Sequence, residues 1–318
     1  MNKILITGAA GFIGSNLARA LVSEGYEVIG IDNLSTGRLD NLSDLADSPR
    51  FAFLESDVSK ESFLERPELE RVREIFHFAS AASPKFYQAD PFGTIAVNTS
   101  GTRNLLQLAL RNGAKMVYAS TSEAYGDPLV HPQDEEYRGN VNTWGPRACY
   151  DEAKRLGEVY CYEYWKQFGL AVKVARIFNT YSDGLRQDDG RVISNLVTQA
   201  LGGRDMTIYG DGSQTRSFCF ITDTVNGLRR MMDREAANGQ IINIGNEKEY
   251  TILQVANLVK ELTNSPSRIT FHPLPQDDPT RRRPSIRKAR ELLEWEPEVE
   301  LAEGLRRTIE AYRNRKDA

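Results

Sequence analysis

The sequence predicts an α/β protein: a doubly wound, mainly parallel sheet, followed by a smaller and partly irregular substrate-binding part. Two observations predict it. Short β-branched runs alternate with longer helical patterns through the first half of the chain, and a glycine-rich turn joins the first run to the first helix. The runs at 3–7, 27–32, 51–55, 74–79, 115–120 and 171–177 read as strands, with helices filling most of the intervals. Strand and helix in alternation imply right-handed crossovers and a sheet covered on both faces. After Ile177 the rhythm loosens into Gly- and Asp-rich turns at 182–190 and 202–213, then a Pro-rich, charged stretch at 273–284. The expected division is a Rossmann-type domain at 1–178 plus about 217–245, and a substrate-binding domain at 179–216 and 246–318.

Each part of that frame has a physical basis. At 318 residues and 40% hydrophobic content, the chain can bury a substantial core. The 40 Lys and Arg against 44 Asp and Glu leave a net charge of −4, so no global field attracts nucleic acid or an anionic membrane. Neither is expected as a partner, and an anionic ligand must be held by local groups. Cys149, Cys161 and Cys219 have neither the pairing of a disulfide framework nor the spacing of a zinc site, which suits a reducing cytosol and predicts no metal. The opening residues carry too short an apolar run for a signal peptide, and no run approaches the roughly 18 apolar residues that span a bilayer. A soluble, cytoplasmic protein is expected.

Thr7-Gly8-Ala9-Ala10-Gly11-Phe12-Ile13-Gly14 ends the first strand and opens a helix with apolar positions Phe12, Ile13, Leu17 and Leu21. Glycines there let the chain turn sharply and approach a pyrophosphate, with the helix N-terminus facing the phosphates. Asp32 follows Gly14 by 18 positions at the end of the second strand. A carboxylate there accepts hydrogen bonds from an adenosine ribose and repels a 2′-phosphate, so the Rossmann-type pattern predicts NAD over NADP, although Arg38 nearby leaves NADP open.

Tyr150 and Lys154 stand four apart in the helical stretch 147–165, on one face. A neighbouring ammonium is expected to lower the tyrosine pKa and to reach a cofactor ribose, making the phenol a usable base. Ser120-Thr121-Ser122-Glu123 follows the fifth strand at the C-terminal edge of the sheet, where such folds bind ligands. Together these features resemble the extended short-chain dehydrogenase/reductase family. The runs Ser120–Pro128, His131-Pro132-Gln133, Gly145–Glu152, Ala175–Thr180, Asp189–Val192, Tyr209–Arg216 and Gln276–Pro279 bring the resemblance to its UDP-glucuronate decarboxylase branch, over nearly the whole chain.

The resemblance implies NAD-dependent oxidation of a UDP-sugar at C4, loss of carbon dioxide from the resulting β-keto acid, and reduction to UDP-xylose with NAD regenerated. It implies catalytic roles for Thr121, Ser122, Glu123, Tyr150, Lys154 and Arg282. Cofactor contacts are expected from Gly8, Gly11, Phe12, Ile13, Gly14, Asp32, Asn33, Thr36, Gly37, Asp57, Val58, Ala79, Tyr150 and Lys154. Substrate contacts are expected from Tyr87, Thr121, Glu123, Asn179, Arg191, Val192, Tyr209, Gln214, Arg216 and Arg282. Glu123 is the discriminating acid, able to orient the sugar and manage a proton or water; a helix-terminal carboxylate is the plainer reading.

Departures from the branch pattern are Ser182-Asp183-Gly184-Leu185 in place of a Gly-Pro-Arg-Met turn, Ser285 after Pro284, and Lys85-Phe86-Tyr87. Alternatives stay open at this point: a decarboxylase releasing UDP-4-keto-xylose with NADH, a UDP-sugar 4-epimerase, and an NAD-sensing binding protein without catalysis. Long helices at about 91–111 and 146–168, with apolar rows such as Leu105, Leu108 and Ala109, lead to the expectation of a homodimer.

Overall fold

The computed structural model describes residues 3–182, 184–185, 189–274 and 281–314. Asp183 and the 276–279 run lie outside the described residues. Seven parallel strands form the main sheet: β1 (Lys3–Thr7), β2 (Glu27–Asp32), β3 (Phe51–Glu55), β4 (Val72–His77), β5 (Lys115–Thr121), β6 (Val172–Ile177) and β11 (Ile241–Ile244), in the order β11-β6-β5-β4-β1-β2-β3. β1 lies inside the sheet and its residues alternate between two apolar layers. Ile4 and Ile6 pack on one side with Leu17, Val28 and Leu228, while Leu5 faces Ile29, Leu105 and Met116 on the other.

Helices α1 (Phe12–Ser23) and α7 (Ile221–Asp233) cover the first layer. On the second lie α2 (Pro84–Tyr87), α3 (Pro91–Ala96), α4 (Thr102–Asn112) and α5 (Ala148–Phe168), a π-helical turn at Val97–Gly101 joining α3 to α4. Glycines in the left-handed region end two of them, Gly113 after α4 and Gly169 after α5.

The strand order reverses between β1, which continues to β2, and β4, which continues to β5. Ligands of open α/β sheets sit in the crevice at such a point, beyond the strand ends. The expected strand at 74–79 begins and ends two residues earlier, because the chain at Phe78 and Ala79 turns against Gly8. A Cβ on Gly8 would stand 2.7 Å from the Phe78 carbonyl carbon and 2.8 Å from the Ala79 nitrogen.

Three small sheets gather beside this frame. β7 (Thr180–Tyr181) pairs with β10 (Cys219–Phe220), β8 (Met206–Tyr209) with β13 (Ile269–His272), and β9 (Thr215–Ser217) lies between β12 (Glu249–Thr251) and β14 (Arg281–Arg282). Arg216 on β9 is the register partner of Arg282 on β14. Helices α6 (Val192–Leu201), α8 (Ile252–Thr263), α9 (Arg287–Leu293) and α10 (Leu301–Asn314) complete the described chain. A capping box of Thr251 and Gln254 starts α8.

Candidate active site

The glycine turn closes tightly on itself. A Cβ on Gly14 would sit 2.2 Å from the Gly8 carbonyl oxygen and one on Gly11 3.1 Å from it, while Gly8 itself adopts φ +71°. Gly11 caps α1 without a side-chain hydrogen bond, and the first turn carries no acid, so its amides face outward at the positive end of the helix dipole. Asp32 lies beside this turn, its Oδ2 accepting the Ala10 amide at 3.0 Å and its Oδ1 the Leu34 amide at 2.8 Å. Each carboxylate oxygen retains acceptor capacity. Burial raises the Asp32 pKa, against the pull of these backbone donors.

A Cβ on Gly37 would stand 2.8 Å from Asp32 Oδ2, so Asn33, Thr36 and Gly37 form the turn that borders this carboxylate. Val58 is buried against Gly101, and Asp57 accepts the Ser59 amide at 2.9 Å. Ala79 donates its amide to Thr7 Oγ1 at 3.4 Å. Phe12 and Ile13 start α1, and the Phe12 ring meets the departing turn: a Cβ on Gly184 would lie 3.3 Å from it. Arg38, the residue that left NADP open, pairs with Asp40 at 2.6 Å on the surface. The crevice fits a dinucleotide: glycines where any side chain would strike backbone, uncapped amides for phosphate, and a carboxylate for ribose hydroxyls.

Further along the sheet edge, α5 delivers Tyr150 and Lys154 on one face, both almost fully buried. Lys154 Nζ donates to the Ala119 carbonyl at 2.7 Å and lies 5.8 Å from the centre of the Tyr150 ring. Burial lowers the Lys154 pKa to about 7. The Tyr150 hydroxyl is also shifted by burial, upward, with a hydrogen bond to Thr121 opposing the shift. This is opposite to the direction expected from spacing, because burial of the hydroxyl, with the charges of Glu123 and Asp151, outweighs what lowers it. Tyr87 stacks face to face on Tyr150, with ring centres 4.9 Å apart and planes 5° from parallel. Its own hydroxyl is buried with no hydrogen-bond partner among the described residues.

Thr121 caps the turn Ser122–Tyr125, its Oγ1 accepting the Glu123 amide at 3.1 Å, and this aims Glu123 toward β14; Ser122 is buried in the same turn. Glu123 and Arg282, 159 residues apart in sequence, form a bidentate pair: Arg282 Nη1 donates to Oε1 and Nη2 to Oε2 at 2.9 Å. Arg147, at the start of α5, donates to Oε2 at 2.7 Å. Burial alone would raise the Glu123 pKa; Arg282 and Arg147 outweigh it and hold the carboxyl down at about 2. At neutral pH Glu123 is therefore an ionised acceptor. Asp151 shares this cluster, pushed up to about 8 by burial and by the charge of Glu123.

Arg191 is paired to Asp189 and is close enough to Tyr150 that each influences the other's protonation; Val192 opens α6 behind it. Asn179 Nδ2 donates to the Ser217 carbonyl at 3.3 Å, at the foot of β9. Tyr209, half-exposed, accepts at its carbonyl from Gln214. Sequence reasoning assigned no role to Arg147, which caps α5, or to Asp151, which follows Tyr150 on it. A buried relay also went unread: His77 Nδ1 meets Thr7 Oγ1 at 2.8 Å and its Nε2 meets Thr102 Oγ1 at 3.2 Å, while burial drops the ring pKa to about 3. A neutral histidine thus braces β1 against α4.

Fold and site together define a Rossmann-type protein with a dinucleotide-fitting crevice and a buried tyrosine at the same sheet edge. The chain belongs to the NAD dependent epimerase/dehydratase family, whose profile matches residues 4–245. It is 50% identical over 310 residues to UDP-glucuronic acid decarboxylase 1 of Danio rerio, covering 98% of this chain and 72% of that protein. Among solved structures, UDP-glucose 4-epimerase of Thermotoga maritima with UDP-glucose superposes with a TM-score of 0.90 at 31% identity, covering 98% of both chains. UDP-glucuronic acid 4-epimerase of Bacillus cereus, in complex with UDP-glucuronic acid and NAD, superposes at 0.88 with 28% identity, covering 98% of this chain and 99% of that one.

Proposed function

We propose that this protein is an NAD-dependent UDP-glucuronate decarboxylase that forms UDP-xylose and carbon dioxide. The observation that carries the reading is the position of two arginines, Arg147 and Arg282, on an ionised Glu123 beside the Thr121–Tyr150 pair. Gly8, Gly11, Gly14 and Asp32 hold NAD, with Asn33, Thr36, Gly37, Asp57, Val58 and Ala79 bordering it. NAD, when bound, supplies reversible oxidation at the sugar C4, which places the carboxyl group β to a ketone.

The chain's residues do the rest. Tyr150 accepts the C4 hydroxyl proton and later returns it, and Thr121 orients that oxygen by hydrogen bonding. As carbon dioxide leaves, the electron pair of the broken C5–C6 bond moves to the C4 oxygen; Thr121, Tyr150 and Lys154 stabilise that enolate, and a proton from water added at C5 restores the C4 ketone. Arg282 orients the sugar carboxylate through its charge. Glu123, held ionised, positions Arg282 and a water or sugar hydroxyl. Arg191, Arg216 and Asn179 hold the diphosphate, Tyr209 and Gln214 the uridine, and Tyr87 backs the Tyr150 ring. The nucleotide-binding part is 1–178 with about 217–245, and the sugar-binding part 179–216 with 246–318.

The expected Leu105, Leu108 and Ala109 row is taken up by the subunit's own core, and a different, exposed apolar stripe supports a homodimer. Phe92 and Ile95 on α3 and Leu156, Val159 and Tyr162 on α5 are exposed at three-residue spacing on helices that pack together. Val159→Arg is expected to convert a dimer to a monomer in light scattering. Three unpaired cysteines favour the cytosol, and no described helix is long and apolar enough to cross a membrane. The test of function is to incubate the purified protein with UDP-glucuronate and follow carbon dioxide, NADH absorbance and product mass. Carbon dioxide and UDP-xylose without matching NADH support the reading; NADH matching a released ketone shifts it to an open cycle, and an unchanged substrate mass overturns it.

A further inference from the structure

We propose that Gln133 and Asn243 are positioning residues that clamp Arg282 onto the substrate carboxylate's side of the site. Neither takes part in the chemistry described above, and the His131-Pro132-Gln133 run had no structural role assigned to it. Gln133 and Asn243 are both fully buried. The Gln133 amide donates to the Arg283 carbonyl at 2.9 Å, its Oε1 accepts the Arg283 amide at 2.9 Å, and its carbonyl accepts the Ser285 amide at 2.7 Å. One residue thus grips the backbone on the C-terminal side of Arg282 by three hydrogen bonds. Asn243, on β11 at the edge of the main sheet, closes the grip. Its Nδ2 donates to the carbonyls of Gln133 and Ser285, both at 3.1 Å.

The same amide reaches the other half of the ion pair. Asn243 Oδ1 accepts the Tyr125 hydroxyl at 2.8 Å, and Tyr125 ends the turn that carries Glu123. Arg282 and Glu123 are therefore both referred to one buried asparagine. A second relay braces that turn: Ser120 Oγ donates to Glu158 at 2.5 Å, Glu158 holds Arg176 at 2.7 and 2.8 Å, and Arg176 lies 4.6 Å over the Tyr125 ring. Among the described residues β14 spans Arg281–Arg282 and pairs with β9, so strand pairing described there gives a short hold on Arg282. Glu123 holds the Arg282 guanidinium, and the clamp holds the backbone that follows it. Satisfied buried networks of this kind hold a side chain within the fraction of an ångström that orientation of a reacting group demands.

The inference rests on the reading that Arg282 recognises the sugar carboxylate, and the experiment separates the two. Dissociation constants for UDP-glucuronate and for UDP-glucose, which lacks the carboxylate, are measured by titration calorimetry on the NAD-loaded protein. The variants are Gln133→Ala, Tyr125→Phe, Arg282→Ala and the Gln133→Ala/Arg282→Ala double variant, each with a melting temperature. Arg282→Ala is expected to abolish the preference for UDP-glucuronate. Gln133→Ala should reduce that preference by about tenfold, the scale expected when a supporting residue is removed, and reduce it no further in the Arg282→Ala background.

Equal weakening toward both sugars, or additive losses in the double variant, overturns the clamp, because a merely structural residue would act that way. If Gln133→Ala does not fold, Tyr125→Phe removes only the hydroxyl that reaches Asn243, and an unchanged preference there overturns the inference. A preference intact in Arg282→Ala overturns the assignment of Arg282 itself and the clamp with it. A preference lost in Arg282→Ala and intact in the other single variants overturns the clamp alone.

Discussion

Glu123→Gln is the perturbation whose consequences the geometry defines most fully. The glutamine keeps the shape of the side chain and removes the charge that neutralises two buried guanidiniums, Arg282 with 3% and Arg147 with 10% of their side chains exposed. The carboxyl falls from its ordinary 4.5 to about 2 in the folded protein. At 1.36 kcal/mol per tenfold change, that corresponds to about 3 kcal/mol of stabilisation, the lower end of what removing one partner of a buried pair costs.

Because the folded pKa lies below the unfolded one, this stability is fully present above pH ~4.5 and is lost as the pH falls toward ~2. In a chain of this length, about 3 kcal/mol shifts the melting temperature by roughly 5 °C. Calorimetric melting of both proteins at pH 7 and pH 4 is the assay, with the gap expected to narrow at the lower pH. Identical melting at pH 7, or a gap that widens on acidification, would refute the claim that Glu123 is held ionised by its arginines.

Other outcomes follow from neighbouring residues. Tyr150→Phe is expected to lower kcat on the order of a thousandfold while leaving NAD content unchanged, checked by steady-state kinetics and by cofactor released on denaturation. Lys154 is buried with its pKa lowered to about 7, so the folded protein binds fewer protons than the unfolded chain between about 7 and 10.5. Lys154→Met should therefore melt higher than the wild type at pH 6, with a margin that shrinks by pH 9, while activity is lost. Gly14→Ala drives a methyl group into the Gly8 carbonyl and should leave a protein that retains no NAD, measured by absorbance after ultrafiltration.

Where the signal is local, the sequence is easily read. Strands 3–7, 27–32 and 51–55 appear in the structure with the same bounds, because each is a compact apolar run bracketed by turn residues. β11 was not read as a strand: the four residues Ile241–Ile244 are too few for periodicity to decide, and pairing with β6 makes them one. Tyr150 and Lys154 were legible for the same local reason, a four-residue helical spacing. The Glu123–Arg282 pair was legible as two candidates but not as a contact, since nothing in sequence spacing joins residues 159 positions apart. The expected fall in the Tyr150 pKa failed because spacing shows neither the depth of burial nor the carboxylates Glu123 and Asp151 nearby.

The central claim is that one closed oxidation and reduction at C4 brackets the loss of carbon dioxide. UDP-glucuronate carrying deuterium at C4 tests it directly when turned over in excess unlabelled NAD, with the product analysed by mass spectrometry. The account predicts UDP-xylose that retains the deuterium at C4. UDP-xylose without the label, or a ketone released with deuterium left on the nicotinamide, would contradict it.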